Sequence, residues 1–286
     1  MKNKIKFFLK IIILLNFFII SNSLSEEIKF EANTIELINK DQRIIAKKNV
    51  KIFNDDETIY ANEMDYDKLK QIIKAKGKVR IENINEKITI FSDELIYSKK
   101  IEQIIFNKNV EIKFGDNFIF NTNKAIYNKP NDEIIINNYS SFKDQFGNTL
   151  SSENLKVLID KKLLKINSVE MVDKLENKYF FENAIVNFNT NELIGDGIKI
   201  DFAKNSFGNK ENDPRIRGNY IYSSNNLSLI KKGVFTTCKK NDEKCPPWQF
   251  KAQEIKHNKK KKTIYYKNAW LEIYDKPVIY FPRFFH

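Results

Sequence analysis

Histidine and cysteine each occur only twice in the 286 residues, glycine 8 times and proline 6. With His257 in a lysine-rich stretch and His286 last in the sequence, a Ser/His/Asp or Cys/His machine has almost no base to use. Cys238 and Cys245 have no histidine close by, so an ordinary four-ligand zinc site is not available. The few glycines form no phosphate-cradling loop, and no metal-ligand spacing appears. Beyond Ile20 no apolar run approaches the roughly 20 residues that a membrane-spanning helix needs. The sequence therefore predicts no catalytic residue, no cofactor and no metal. Carboxylates are plentiful, and acids such as Glu63, Asp65, Asp93 and Glu94 recur. A carboxylate pair that cleaves polysaccharide is the one enzymatic reading left, but a catalytic pair is singular, whereas these acids return in unit after unit.

What is present suits strands. Isoleucine, phenylalanine, tyrosine, asparagine and lysine abound, the mixture expected of short strands joined by Asn/Asp/Lys turns. A composition of 42% hydrophobic and 30% charged residues is globular. The dominant pattern is a repeat of about 30 residues. Its first halves read Ala46-Lys-Lys-Asn-Val50-Lys-Ile52, Ala75-Lys-Gly-Lys-Val79-Arg-Ile81 and Phe106-Asn-Lys-Asn-Val110-Glu-Ile112, with weaker copies from Ile136 and Ile166. Its second halves read Tyr60-Ala-Asn-Glu-Met-Asp-Tyr66, Phe91-Ser-Asp-Glu-Leu-Ile-Tyr97 and Phe120-Asn-Thr-Asn-Lys-Ala-Ile-Tyr127. One unit is two strands and two turns, too small to bury its own apolar face, so neighbouring units must stack and share an interior. The expected fold is all-β and repeat-built, a long stack of paired strands.

Outside the repeat, Lys2, Lys4, Lys6 and Lys10 precede the apolar run from Ile11 to Ile20 and a small-residue stretch at Ser21 to Ser25. That is a secretory signal over residues 1–25, which makes this an exported chain of a bacterial periplasm. The formal charge of +12 falls to about +8 without those lysines. Export argues against nucleic acid as the partner of this basic surface; an acidic or phosphorylated glycolipid fits as well as a simple solubilising charge. From Asp201 to Ser228 the rhythm breaks into a longer loop followed by resumed strands. Trp248 to Ile273 then reads as a hairpin with a lysine-rich tip at Lys259 to Lys262, and the aromatic run from Pro277 to His286 implies a cover.

The Ala-x-Gly-x-Val-x-Ile element, followed by Ala/Ser-Asn/Asp-Glu-x-x-Tyr, resembles the OstA-like repeat of lipopolysaccharide-transport proteins. Residues 233–286 are similar to the LPS-assembly (LptD) family in particular. The match is carried by Phe235-Thr-Thr-Cys238, Pro247-Trp248-Gln, Ile255-Lys-His257, Tyr265-Tyr-Lys-Asn-Ala269 and Pro277-Val-Ile-Tyr280-Phe-Pro282. The simpler LptA-like periplasmic bridges lack that tail. The resemblance implies an OstA-like β-jellyroll or V-shaped pair of sheets over residues 26–232. Over 233–286 it implies a Cys loop, a hairpin and a junction to an outer-membrane barrel, a barrel expected to begin where this sequence stops.

The implied location is the periplasmic face of the outer membrane. The implied partners are lipopolysaccharide, through its lipid A acyl chains, the lipoprotein LptE with the barrel, and an LptA bridge adding a strand near Ile28 to Leu37. Cys238 matches the family cysteine that bridges to the barrel, while Cys245 offers a local disulfide instead; both pairings stand. Alternation assigns Val50, Ile52, Met64, Tyr66, Val79, Ile81, Leu95, Tyr97, Val110, Ile112, Phe114 and Tyr127 to the inner face, as lining of a lipid groove. The same alternation describes an ordinary closed core. An LptA-like bridge or structural protein and an exported polysaccharide-cleaving enzyme are the competing functions.

Overall fold

The computed structural model describes residues 29–53, 57–83, 86–114, 118–143, 147–204, 206, 208–240, 246–261 and 263–285. The expected export signal, Cys245 and His286 lie outside these residues. The described chain forms one antiparallel sheet of 20 strands. It opens with the short β1 (Lys29–Glu31) and β2 (Thr34–Ile38), which pair with opposite ends of β3 (Arg43–Phe53) and so share one level of the stack. Each following strand pairs with the one before: β4 (Glu57–Asp67), β5 (Ile72–Asn83), β6 (Ile88–Ser98), β7 (Gln103–Phe114) and β8 (Phe118–Asn128). Two broken levels come next, β9 (Glu133–Ile136) with β10 (Ser140–Lys143), then β11 (Thr149–Ser152) with β12 (Asn154–Leu158). The meander resumes with β13 (Leu163–Val172), β14 (Lys178–Asn187), β15 (Glu192–Asp201), β16 (Arg215–Ser223) and β17 (Leu227–Thr236). It finishes with β18 (Trp248–Asn258), β19 (Thr263–Ile273) and β20 (Lys276–Phe285).

The all-β architecture matches the sequence expectation, with two refinements. The terminal hairpin β18–β19 gains a third strand, because the aromatic run forms β20 and pairs along β19 from Tyr265–Phe285 to Ile273–Lys276. The position 232/233, where the sequence reading divides carrier from tail, falls inside β17, which pairs with β16 and β18 on both sides of it.

Each long odd-numbered strand carries left-handed residues at its middle. In β3 they are Lys48 and Asn49 at φ 62° and 53°, in β5 Gly77 and Lys78 at 75° and 49°, and in β7 Lys108 and Asn109 at 64° and 48°. Pairing skips at these points, between Lys47 and Val50, Lys76 and Val79, and Asn107 and Val110. Left-handed residues inserted in a strand break the ladder locally and turn the chain. Ser168, Gly197, Lys232 and Asn268 continue the line in β13, β15, β17 and β19. The Lys-Asn and Gly-Lys pairs of the repeat are therefore the crease along which the sheet folds. Beside the crease small and larger inner residues share one row: Ala46, Met64, Ala75, Leu95, Phe106 and Ala125 are successive cross-strand neighbours, all almost fully buried. Side chains such as Ile52, Ile90, Ile104, Phe120 and Ile134 fill the space farther out and make one continuous core.

Candidate functional site

The interior of the folded sheet is the chemically distinctive region. Among the described residues, no group of three or more His, Cys, Asp or Glu side chains could hold a metal ion. The sequence-assigned lining residues all occupy the inner face: eleven are buried, and Tyr66 is half-buried against the core. Each belongs to a strand whose charged neighbours point outward. Arg80 lies over the Tyr60 ring at 4.3 Å, and Glu111 pairs with Lys113 at 3.1 Å. Whether these residues ever touch a lipid is a separate matter, because in this state they touch one another.

They do so because the two long edges of the sheet meet. Among the unbroken strands, turns that follow odd-numbered strands form one edge, and turns that follow even-numbered strands form the other. Glu57, at the start of β4, receives Lys129 Nζ from the turn after β8 at 2.9 Å. One unit farther on, Glu86 is paired with Lys162. Beyond these, Phe188 sits between Phe114 and Phe118, with ring centroids 4.9 and 4.6 Å apart. Phe30 against Tyr66 at 5.9 Å makes the matching contact near the first strands. Among the described residues no strand pairing joins the edges, so side chains alone hold this seam.

The electrostatics follow from enclosure. The Tyr127 hydroxyl donates to Asp132 Oδ1 at 3.4 Å; burial, reinforced by Glu57 and Asp132, drives its pKa far above the usual phenol range. Burial likewise raises the Asp132 carboxyl, with Glu86 adding to the effect. Burial also raises Tyr66, Tyr179 and Tyr266, so the tyrosines facing inward stay neutral.

The interior is sealed in the middle and half-open at its ends. At the first levels Phe30, Ala32 and Ile44 are only partly buried. Past Phe188 lie the last strands, β15 to β20. There the inner face becomes aromatic, a chain of Phe235, Trp248, Phe250, Tyr266, Phe281 and Phe284 with centroid spacings from 4.3 to 6.3 Å. Trp248, Phe250 and Phe284 are packed against the core but partly exposed.

Seam residues were not singled out from the sequence. Their only trace there is periodicity: Glu57 and Glu86, like Lys129 and Lys162, recur at roughly the repeat length. Pairing between positions 72 and 76 residues apart has no local signal. The recurring acids of the repeat are spread over separate strands on the outer face. Arg43 Nε donates to Asp65 at 2.7 Å, Lys108 pairs with Glu94 at 3.0 Å and Asn109 donates to Asp93 at 2.7 Å. Cys238 is half-buried with Sγ 3.7 Å from the Trp248 carbonyl. Burial, aided by Lys259, lowers the pKa of His257.

No family model matches the chain, and no curated protein matches it. Eleven chains of solved structures do. One is LptH from Pseudomonas aeruginosa, the LptA-homologous periplasmic component of its lipopolysaccharide transport device. That match has 12% identity and a TM-score of 0.25, and it covers 52% of this chain and 96% of LptH. A likeness of this degree carries no residue role across, and the all-β fold of this chain rests on its own strands.

Proposed function

We propose that this chain carries lipopolysaccharide across a periplasm, with the lipid A acyl chains held against the inner face of the folded sheet. The carrying observation is that one uninterrupted apolar face runs from Ile44 to Phe284, half-exposed at both ends and closed between by side-chain contacts alone. A lipid with several acyl chains bears on the order of 70 methylenes, and wetting them at about 0.8 kcal/mol each costs near 55 kcal/mol. It must stay shielded along its whole route. A repeat-built wall offers a similar environment at every level, so the cargo meets no deep well and successive molecules can push it forward. Entry beside the sealed middle requires the seam to part, and two ion pairs with a few ring contacts are a modest barrier beside that cost.

On this reading residues 26–232 form the OstA-like carrier, and 233–286 lead to an outer-membrane barrel assembled with LptE, as in LptD. The outer edge of β1 and β2, with Ile35, Leu37 and Ile38 exposed, is where an LptA-like bridge adds its strand. Cys238 then bonds either Cys245 or a barrel cysteine. The test is a photo-crosslinking amino acid placed singly at Val79, Ile112, Arg80 and Glu111 in cells. Capture of lipopolysaccharide from Val79 and Ile112, with none from Arg80 and Glu111, is expected. Equal capture from both faces sinks the proposal, and no capture from any position reduces the interior to a sealed scaffold.

A further inference from the structure

The outward face of the last three strands carries a second feature, unrelated to the interior. Register places Lys256, Tyr265 and Phe285 side by side across β18, β19 and β20, with Glu254, Lys267 and Arg283 as the adjoining row. Together with the edges of Tyr266 and Phe284 they surround a cleft of about 620 Å³, within the range of small-molecule sites. Its floor is a pair of aromatic rings, Tyr265 and Phe285, with centroids 5.7 Å apart and planes inclined by 37°. Behind them Tyr266 and Phe284 stack in parallel at 4.3 Å and stiffen the wall.

The charge around this floor is one-sided. Glu254 is the single acid of the lining, and Lys231 from β17 already holds it at 2.5 Å; that bond, with Lys267 and Lys256 adding to it, lowers its pKa. Lys256, Lys267 and Arg283 form no ion pair among the described residues. Three cations thus converge on an aromatic surface. Cations alone would suit any anion, and rings alone any apolar body. Their combination selects a ligand with an anionic group mounted on a ring that can lie flat. The guanidinium fork of Arg283 and the two ammonium groups match a phosphate, and the Tyr265 and Phe285 rings match the C–H face of a sugar.

We propose that this cleft binds a phosphorylated sugar, independently of whether the interior carries acyl chains. The sugar phosphate is either soluble or displayed as the headgroup of a lipid, and the experiment separates the two. Calorimetric titration of the full chain uses glucose 1-phosphate, glucose and inorganic phosphate. Flotation uses phosphatidylcholine vesicles doped with a phosphorylated glucosamine-disaccharide lipid or with its dephosphorylated form. Glucose 1-phosphate, or the phosphorylated vesicles, should bind at least tenfold better than every comparator. Arg283→Gln and Lys267→Gln should each weaken that binding about tenfold, and Tyr265→Ala should weaken it severalfold. Binding to vesicles alone assigns the headgroup source, and binding to glucose 1-phosphate assigns the soluble one. Thermal melts matching the parent show that the variants fold, as expected for exposed side chains. Inorganic phosphate binding as well as glucose 1-phosphate, unchanged affinity in the charge variants, or no binding in either format overturns the proposal.

Discussion

Replacing Lys129 by Met tests whether the seam is a structural closure. The lysine Nζ lies 2.9 Å from a Glu57 carboxylate whose side chain is only 8% exposed, its own exposure being 21%. Two charges about 3 Å apart at an effective dielectric near 20 attract with roughly 5 kcal/mol before desolvation is counted. Losing the lysine takes a close countercharge from a carboxylate that is almost fully buried, so Lys129→Met should cost up to about 3 kcal/mol. The neighbouring pair supplies the control, because Lys162 and Glu86 are 28% and 32% exposed. Water screens that pair, and Lys162→Met should cost no more than about 1 kcal/mol. Urea unfolding of the two variants and of the Glu57→Gln/Lys129→Met double variant measures all three quantities. The double variant should recover part of the loss, since the buried carboxylate's charge is then removed together with its countercharge. If Lys129→Met unfolds within about 0.5 kcal/mol of the parent, the edges do not meet as described.

Other consequences can be checked alongside. At Gly218 an added Cβ would lie 2.5 Å from Ile230 Cγ2 and 3.0 Å from Ile198 Cγ2, so Gly218→Ala should cost about 1–3 kcal/mol by overpacking. At Gly77 the strain of φ 75° adds to an approach of 2.8 Å to Asn62 Nδ2, so Gly77→Ala should lower stability as well, as chemical unfolding would show. Asp65, Glu94 and Glu254 have pKa values depressed by Arg43, Lys108 and Lys231 respectively. Their contribution to stability is complete above the unfolded carboxylate range near pH 4 and is lost as pH falls through the depressed folded values. Asp132, raised by burial, acts in the opposite sense. Unfolding midpoints should therefore decline below about pH 4, and Glu254→Gln should flatten that decline. An unaltered acid slope in this variant would contradict the assigned ion pair.

Alternation in the sequence assigned the inner face correctly where apolar and charged residues strictly alternate, as in Val79-Arg-Ile81 and Val110-Glu-Ile112. It was less informative where apolar residues run together. Ile96, Ile105, Ile126 and Ile135, each inside such a run, are cross-strand neighbours on the outer face and only half-buried. A two-residue period cannot rank three consecutive apolar positions; pairing register does. The basic-aromatic cleft was hidden for a related reason. Lys256 and Tyr265 face each other across the β18–β19 hairpin, but Arg283 and Phe285 join them only because β20 pairs with β19.

The repeat by itself determined the local events: strands of about eleven residues, turns at Asn/Asp/Lys clusters, and a crease wherever Lys-Asn or Gly-Lys interrupts a strand. These depend on backbone sterics and on neighbours within a few residues, so the order of amino acids suffices to encode them. The tertiary structure alone decided how far the sheet curls and which turns meet. Twist accumulates over many strands, and only its sum brings Glu57 to Lys129 and Phe114 to Phe188. Closure of the interior is a property of the whole stack, and no single unit carries it.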